Sequence, residues 1–148
     1  MDEKAKLRAK KKEFSMKIPS KPGIYIAQPI GKRMRFIDKS RPEMLPLVNN
    51  EFIKVGKTKD LKRRGGEYFR DNDGDVKFEP VIIMENYSQG EINKLEKMLK
   101  KEFIRYRVIN PKINKGRLEW MKNISSSDAL IMINQVFKQF RDNILITR

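Results

Sequence analysis

The strongest structural signal in the chain lies in residues 50–71, which read N-E-F-I-K-V-G-K-T-K-D-L-K-R-R-G-G-E-Y-F-R-D. Phe52 and Ile53 favour a β-strand, and Gly56 is expected to end it. Thr58 then stands where a helix N-cap is expected, because its hydroxyl can accept a hydrogen bond from a backbone N–H of the first turn. The segment therefore predicts a strand, a glycine turn and a helix.

The predicted helix carries two polar side chains on the same face as a core residue. Leu61, Arg64 and Tyr68 lie at i, i+3 and i+7, and residues at these spacings share one side of a helix. An arginine and a tyrosine beside a core leucine are positioned to enter a cleft. The Gly65-Gly66 pair lowers helix propensity, so a short or kinked helix is expected there.

The composition points to a polyanionic partner. The chain has 148 residues, enough for one domain with a single core, and 39% of them are hydrophobic. It carries 34 Lys and Arg against 19 Asp and Glu, a formal net charge of +15. Such an excess favours nucleic acid or an anionic membrane surface as the partner, and a merely solvated basic surface is the alternative. No apolar run approaches the roughly 20 residues that span a bilayer, and no signal peptide opens the chain, so an intracellular, non-secreted protein without membrane partners is expected.

The chain contains neither cysteine nor histidine, which excludes several kinds of site. Disulfides, thiolate zinc sites, a cysteine nucleophile and a Ser-His-Asp triad cannot be formed within it. Acid–base chemistry must come from Asp, Glu, Lys or Tyr. A bound metal would be a hard ion such as Mg²⁺, held by few carboxylates and several waters.

The N-terminal part predicts a basic arm followed by two strands. Residues 1–17 are mostly charged and predict a mobile or loosely helical arm that contacts phosphates, or else a solubilising terminus. A strand is expected at residues 24–27, and a short one at residues 34–37 that pairs back. A basic cluster lies between them and runs into the second: Lys32, Arg33 and Arg35.

A further strand and a final helix complete the core elements. Residues 76–85 predict a strand in which the continuously apolar residues 81–84 are buried on both faces. Pro80 indicates that this strand lies at a sheet edge or carries a bulge, because proline has no backbone N–H to donate. The serines at 125–127 are expected to cap the last helix.

A long helix over residues 88–106 places a carboxylate on its apolar face. Ser88 and Glu91 form the pattern of a capping box. Glu96 falls within the buried stripe, which consists of Ile92, Leu95, Leu99, Phe103 and Tyr106. A carboxylate on an apolar face is costly unless it is paired, metal-bound or open to a cleft. Glu96 is therefore a candidate functional residue, with a boundary glutamate that reaches water as the alternative.

With these elements in order, the chain resembles the GIY-YIG nucleases over roughly residues 20–121. It is similar to the nuclease domain of a bacterial excision-repair subunit and to small phage and viral members of the family. The matching motifs are Gly23-Ile24-Tyr25, Lys54-Val55-Gly56 with the helix after it, Glu96, Pro111-Lys112-Ile113-Asn114, and G-R-L-E-W-M at residues 116–121. The resemblance implies an α/β fold with a small, central, mostly antiparallel three-stranded sheet flanked by helices. The nuclease domain would span residues 18–148, including the C-terminal helix.

The resemblance also implies the roles of four catalytic residues. Tyr25 would position or deprotonate the attacking water, and Arg64 would bind the scissile phosphate. Tyr68 would hydrogen-bond the nucleophile or the phosphate. Glu96 would be the metal ligand for one Mg²⁺ or Mn²⁺ ion.

Supporting and DNA-binding residues follow from the same comparison. Lys57 would contact phosphate at the turn, and Asn114 would help to lock the site, with Asn110 as a rival for that role. Lys54 stands where the family usually has tyrosine, so it either contacts phosphate or marks a member that binds without cutting. The residues expected to contact the DNA backbone are Lys32, Arg33, Arg35, Lys62 and Arg63.

The function predicted from the sequence is therefore a metal-dependent DNA endonuclease. The alternative is a catalytically weak or inactive DNA-binding module of the same fold. Target specificity is expected to come from the segment 32–50, the basic arm, a homodimer or an additional partner protein.

Overall fold

The computed structural model describes residues 2–37, 47–108 and 120–147. The helices are α1 (Glu3–Met16), α2 (Leu61–Asp71), α3 (Gln89–Glu102) and α4 (Ser126–Thr147), with a short 3₁₀ turn at Ile104–Tyr106. The strands are β1 (Gly23–Pro29), β2 (Arg35–Phe36), β3 (Leu47–Val48), β4 (Phe52–Thr58), β5 (Val76–Ile83) and β6 (Trp120–Lys122). Within the described ranges, no helix has the length and hydropathy needed to cross a membrane.

The central sheet has four antiparallel strands in the order β5-β1-β4-β6, so the prediction of three strands is wrong. The additional strand is β6, which pairs with the beginning of β4, with Lys54 opposite Trp120. A three-residue strand is too short to show the alternation by which strands are recognised in a sequence. The short strand expected at residues 34–37 is present as β2, and it pairs with β3 in a separate two-stranded sheet.

Strand β4 does not end at Gly56, as the sequence predicted, but continues to Thr58. Gly56 lies within the ladder, directly opposite Tyr25 of β1. The N-cap of α2 is also not Thr58 but Asp60, whose carboxylate accepts a hydrogen bond from the backbone N–H of Arg63 at 3.1 Å. Thr58 holds the capping residue itself, because its hydroxyl accepts a hydrogen bond from the backbone N–H of Asp60 at 3.2 Å.

Strand β5 confirms the edge position and bulge predicted from Pro80, but its burial differs from the prediction. It forms one edge of the sheet, and its register with β1 shifts between Ile24 and Tyr25, close to Pro80. The prediction that residues 81–84 are buried on both faces is wrong, because Ile83 is 47% exposed. An edge strand has neighbours on one side only, so part of its apolar run remains accessible.

The sheet separates two apolar clusters. On one face, Ile24, Ile26 and Ile53 pack against α3 and α4, whose buried residues include Leu95 and Ile133. The capping box of Ser88 and Glu91 starts α3 as predicted, and Ser125 caps α4 by accepting the N–H of Asp128. The opposite face packs against α2 through another set, which includes Tyr25, Ala27, Phe52, Leu61 and Tyr68.

Helix α2 runs without interruption through its glycine pair, so the expected kink is not present. A Cβ added at Gly65 would lie 2.9 Å from Phe78 and 3.0 Å from Ile18, so the glycine allows α2 to approach β5 closely. Helix α1 packs beside it through Phe14, whose ring centroid lies 5.1 Å from that of Phe69 and 6.4 Å from that of Phe78. The division of the chain into an arm (1–17) and a domain (18–148) stays a prediction.

Candidate active site

The guanidinium of Arg64 is the centre of a buried polar cluster between β1 and α2. Its Nε donates to the hydroxyl of Tyr25 at 3.4 Å, and its Nη2 donates to the hydroxyl of Tyr68 at 3.1 Å. Its Nη1 donates to Oε2 of Glu67 at 2.9 Å. The Arg64 side chain is only 4% exposed. Three of the predicted site residues therefore meet on one face of the sheet.

The local structure explains why these residues converge. Arg64 and Tyr68 lie one turn apart on α2, and Tyr25 points toward them from β1. Lys54 lies two residues before Gly56 on β4, and alternate residues of a strand face the same side of a sheet. Its Nζ is 6.0 Å from the ring centroid of Tyr25 and 5.8 Å from that of Tyr68, and the residue is 3% exposed.

Two buried cations change the acidity of the tyrosine between them. Burial, the largest single influence, raises the pKa of Tyr25, and the charges of Lys54 and Arg64 lower it. Hydrogen bonds from Arg64 and with Tyr68 act in the same direction as the charges, and the pKa of Tyr25 falls below its ordinary value. A lowered pKa makes the phenolate form more accessible near neutral pH, as a general base requires.

Gly56 is needed for the position of the Tyr25 ring. A Cβ added there would lie 2.6 Å from both Cζ and the hydroxyl oxygen of Tyr25. Gly56→Ala is expected to lower stability by about 1–3 kcal/mol through overpacking and to displace the hydroxyl from Arg64. Thermal unfolding measures the first effect, and a spectrophotometric pH titration of tyrosine measures the second.

Gly66→Ala is the matched control for this variant. A Cβ at Gly66 meets nothing within 4 Å, and the residue lies in a helix. Alanine is expected to stabilise α2 by about 0.5–1 kcal/mol, because it restricts the unfolded chain. An equal loss of stability in the two variants would contradict the contact between Gly56 and Tyr25.

Glu96 lies on the other face of β4, where two lysines hold it. Its Oε1 is 3.4 Å from Nζ of Lys57 and 3.3 Å from Nζ of Lys100, and its side chain is 24% exposed. Lys57 also donates to Oδ1 of Asn93 at 2.6 Å. Lys57 follows Gly56, so adjacent residues of one strand contact Tyr25 on one face and Glu96 on the other. The structure thus groups Lys57 with Glu96, and Lys54 with the tyrosines and Arg64.

Glu96 supplies the single carboxylate for the hard cation that the sequence predicts, and two lysine ammonium groups lie beside it. Both ion pairs use Oε1, which leaves Oε2 as the oxygen for a metal ion. No group of three or more acidic or histidine side chains suited to a metal occurs in the part of the chain that the structure describes. Mg²⁺ characteristically binds to one or two carboxylates and completes its shell with water and phosphate oxygens. A metal ion at Glu96 stays a prediction.

The other sequence-predicted residues differ in accessibility. Lys32, Arg33, Lys62 and Arg63 are exposed, as phosphate contacts require. Arg35 is partly buried, and its Nη2 donates to the backbone carbonyls of Ile30 and Asp75, so this side chain holds two turns together. Asn110 and Asn114 lie outside the described residues.

The sequence patterns do not indicate Glu67. Of the three hydrogen bonds that Arg64 donates to Tyr25, Tyr68 and Glu67, the one to Glu67 is the shortest. Its Oε2 accepts from Nη1 of Arg64, and its Oε1 lies 3.8 Å from Nε of Arg63. Its spacing from Arg64 is the signal that could indicate this contact, because residues at i and i+3 of a helix are neighbours.

Comparison with known proteins places the chain in a family. The profile of the T5orf172 domain matches residues 24–140, which include β4, α2, α3 and most of β1 and α4. This family consists of nuclease-like domains of phages and bacteria that are often linked to endonucleases of the GIY-YIG and HNH types. No curated protein and no solved structure matches the chain. Because the match extends over most of its length, the protein belongs to the T5orf172 domain family.

Proposed function

We propose that the protein is a DNA endonuclease of the GIY-YIG type that hydrolyses phosphodiester bonds with one divalent metal ion, Mg²⁺ or Mn²⁺. The observation that carries the proposal is the convergence of Arg64 on the hydroxyls of Tyr25 and Tyr68, at 3.4 and 3.1 Å. A planar, permanently charged guanidinium is suited to a phosphate, and a tyrosine of lowered pKa is suited to accept a proton. The net charge of +15 supports DNA as the partner.

In this mechanism the Tyr25 phenolate accepts a proton from the attacking water. The water oxygen bonds to phosphorus, and the bond from phosphorus to the leaving 3′ oxygen breaks. The leaving oxygen takes a proton from a solvent water, which gives a 5′-phosphate and a 3′-hydroxyl. Arg64 stabilises the negative charge that develops on the phosphoryl oxygens, and Tyr68 hydrogen-bonds the nucleophile or the phosphate. Lys54 keeps positive charge beside Tyr25 and favours its phenolate.

Glu96 would hold the metal ion through Oε2. When bound, this ion supplies Lewis acidity that stabilises the leaving oxygen. Lys57, which pairs with Glu96 at 3.4 Å, would contact a phosphate oxygen from the end of β4. Lys32, Arg33, Lys62 and Arg63 would contact the flanking backbone. A role for Asn114 or Asn110, and a homodimer or partner protein for specificity, remain part of the proposal.

A DNA-binding module without catalysis is the second candidate, and one observation favours it. Glu96 forms ion pairs with both Lys57 and Lys100, and two lysine charges can replace the charge of a metal ion there. Under that alternative the Arg64 cluster would bind a phosphate without hydrolysis.

A plasmid assay distinguishes the two candidates. Supercoiled DNA is incubated with the protein and Mg²⁺, with the protein and EDTA, and with the Tyr25→Phe variant and Mg²⁺. Nicking or linearisation that requires the metal and is lost in the variant would establish the nuclease. A plasmid that shifts in the gel but stays intact with Mg²⁺ and with Mn²⁺ would favour the binding module.

The pH dependence of cleavage tests the role of Lys54. Activity is expected to rise with pH and to level off above the pKa of Tyr25, which lies below the ordinary tyrosine value. Lys54→Met removes a charge that lowers this pKa, so the rising limb of the profile is expected to move to higher pH. Single-turnover rates measured across the pH range give the rising limb of the profile for the unchanged protein and for Lys54→Met. If the two limbs coincide, Lys54 does not act on Tyr25.

A further inference from the structure

Glu67 lies between the Arg64 cluster and solvent. The Arg64 side chain is 4% exposed, whereas that of Glu67 is 27% exposed. Arg64 therefore has little accessible surface of its own, and the carboxylate of Glu67 is bound to one of its terminal nitrogens at 2.9 Å. A phosphate that approaches from solvent meets Glu67 before it reaches this nitrogen.

The two oxygens of Glu67 are shared between two arginines. Oε2 accepts from Nη1 of Arg64, and Oε1 lies 3.8 Å from Nε of the exposed Arg63. A phosphodiester also presents two unesterified oxygens that share a negative charge, and guanidinium groups bind carboxylates and phosphates in similar geometry. Glu67 thus makes the contacts that an incoming phosphate would make.

We propose that Glu67 is a placeholder for the DNA phosphate: its carboxylate occupies Arg64 in the free protein and is displaced when a phosphodiester binds. The inference rests on the proposed function and adds a residue that controls the access of the DNA phosphate to Arg64. While Glu67 is in place, the buried guanidinium keeps a negatively charged partner and stays aligned with the two tyrosine hydroxyls. DNA binding must replace that partner, so Glu67 weakens the apparent affinity for DNA.

Glu67→Gln tests this competition, because glutamine keeps a carbonyl acceptor for Nη1 but loses the charge. Affinity for a fluorescently labelled duplex is measured by anisotropy in EDTA, where no turnover occurs. The variant is expected to bind about tenfold more tightly, as removal of a close like charge from a partly screened site predicts. Glu102→Gln, an exposed position at the end of α3, makes the same change in net charge and is expected to stay within about twofold of the unchanged protein.

A double-mutant cycle assigns the effect to Arg64. In an Arg64→Gln background, Glu67→Gln is expected to give a much smaller gain, because the occupied guanidinium is absent and only the 3.8 Å contact with Arg63 remains. Glu67→Met, which also lacks the charge, should bind more tightly as Glu67→Gln does, and thermal melting checks that each variant is folded. In turnover, Glu67→Gln is expected to lower KM while kcat changes little.

The results separate this inference from the proposed function. Equal or weaker binding by Glu67→Gln, relative to Glu102→Gln, would overturn the placeholder role and indicate that Glu67 only orients Arg64. If Arg64→Gln leaves both DNA affinity and cleavage unchanged, the proposed function itself fails. A loss in Arg64→Gln together with no gain in Glu67→Gln rejects the placeholder alone.

Discussion

Replacement of Glu96 by alanine is expected to abolish DNA cleavage while DNA binding remains nearly unchanged. The substitution removes the carboxylate proposed to hold the metal ion, and Lewis-acid stabilisation of a phosphoryl transition state is worth several kcal/mol. The cleavage rate should fall by at least about a thousandfold. Binding should persist, because Lys57 and Lys100 are released from their ion pairs with Glu96 and stay available to phosphate. Plasmid nicking with Mg²⁺ and anisotropy in EDTA measure the two effects.

The appropriate control is Glu102→Ala on the same helix. Glu102 is exposed at the end of α3, and its replacement by alanine changes the net charge by the same amount. Cleavage by this variant should therefore continue at close to the original rate. Mn²⁺ or Mg²⁺ titration adds a direct readout, since Glu96→Ala should lose the heat of metal binding that the control retains. Parallel loss of cleavage and of DNA binding in Glu96→Ala would argue against a metal role.

Arg64→Ala should reduce cleavage by about 10³- to 10⁵-fold, the range associated with an arginine that stabilises charge on a transferred phosphoryl group. The same change removes the hydrogen bonds from Arg64 to Tyr25 and Tyr68 and leaves the Glu67 carboxylate without its 2.9 Å partner. Catalysis should therefore suffer far more than DNA affinity, to which many other basic residues contribute. Single-turnover cleavage at saturating protein isolates the chemical step.

Arg63→Ala is its natural comparison, because it removes the adjacent arginine from the exposed side of α2. Here weaker binding is expected, with a smaller salt dependence and an unchanged single-turnover rate. A near-original rate in Arg64→Ala, with both proteins folded by thermal melting, would remove Arg64 from the proposed mechanism.

Local patterns in the sequence predicted the elements that place the site. The capping box at Ser88 and Glu91, the edge position of Pro80 and the helix that carries Arg64 and Tyr68 are all present. Each is indicated by a local feature of the sequence: the spacing of residues along a helix, or a proline without a backbone N–H. Such features can be inferred without knowledge of the tertiary structure.

Contacts between distant residues determine the features that local patterns do not predict. The sequence predicts a strand end at Gly56, but this residue lies opposite Tyr25 and gives space to that ring. One of the two partners of Glu96, Lys100, lies at i+4 in α3, whereas the other, Lys57, comes from a strand 39 residues earlier and no helical pattern could indicate it. Lys54 likewise gained its position beside two tyrosine rings from the pairing of β4 with β1. The roles assigned to these residues stay predictions.

The pairing of β4 with the short strand β6 has a consequence for how the protein is produced. On that side of the sheet, β6 (Trp120–Lys122) supplies the backbone partners of Phe52, Ile53 and Lys54. A nascent or truncated chain that ends before residue 120 would present this part of β4 as an open, largely apolar edge, and such edges pair with other chains. Fragments of this kind are therefore expected to aggregate during expression, even though they contain Tyr25, Arg64, Tyr68 and Glu96.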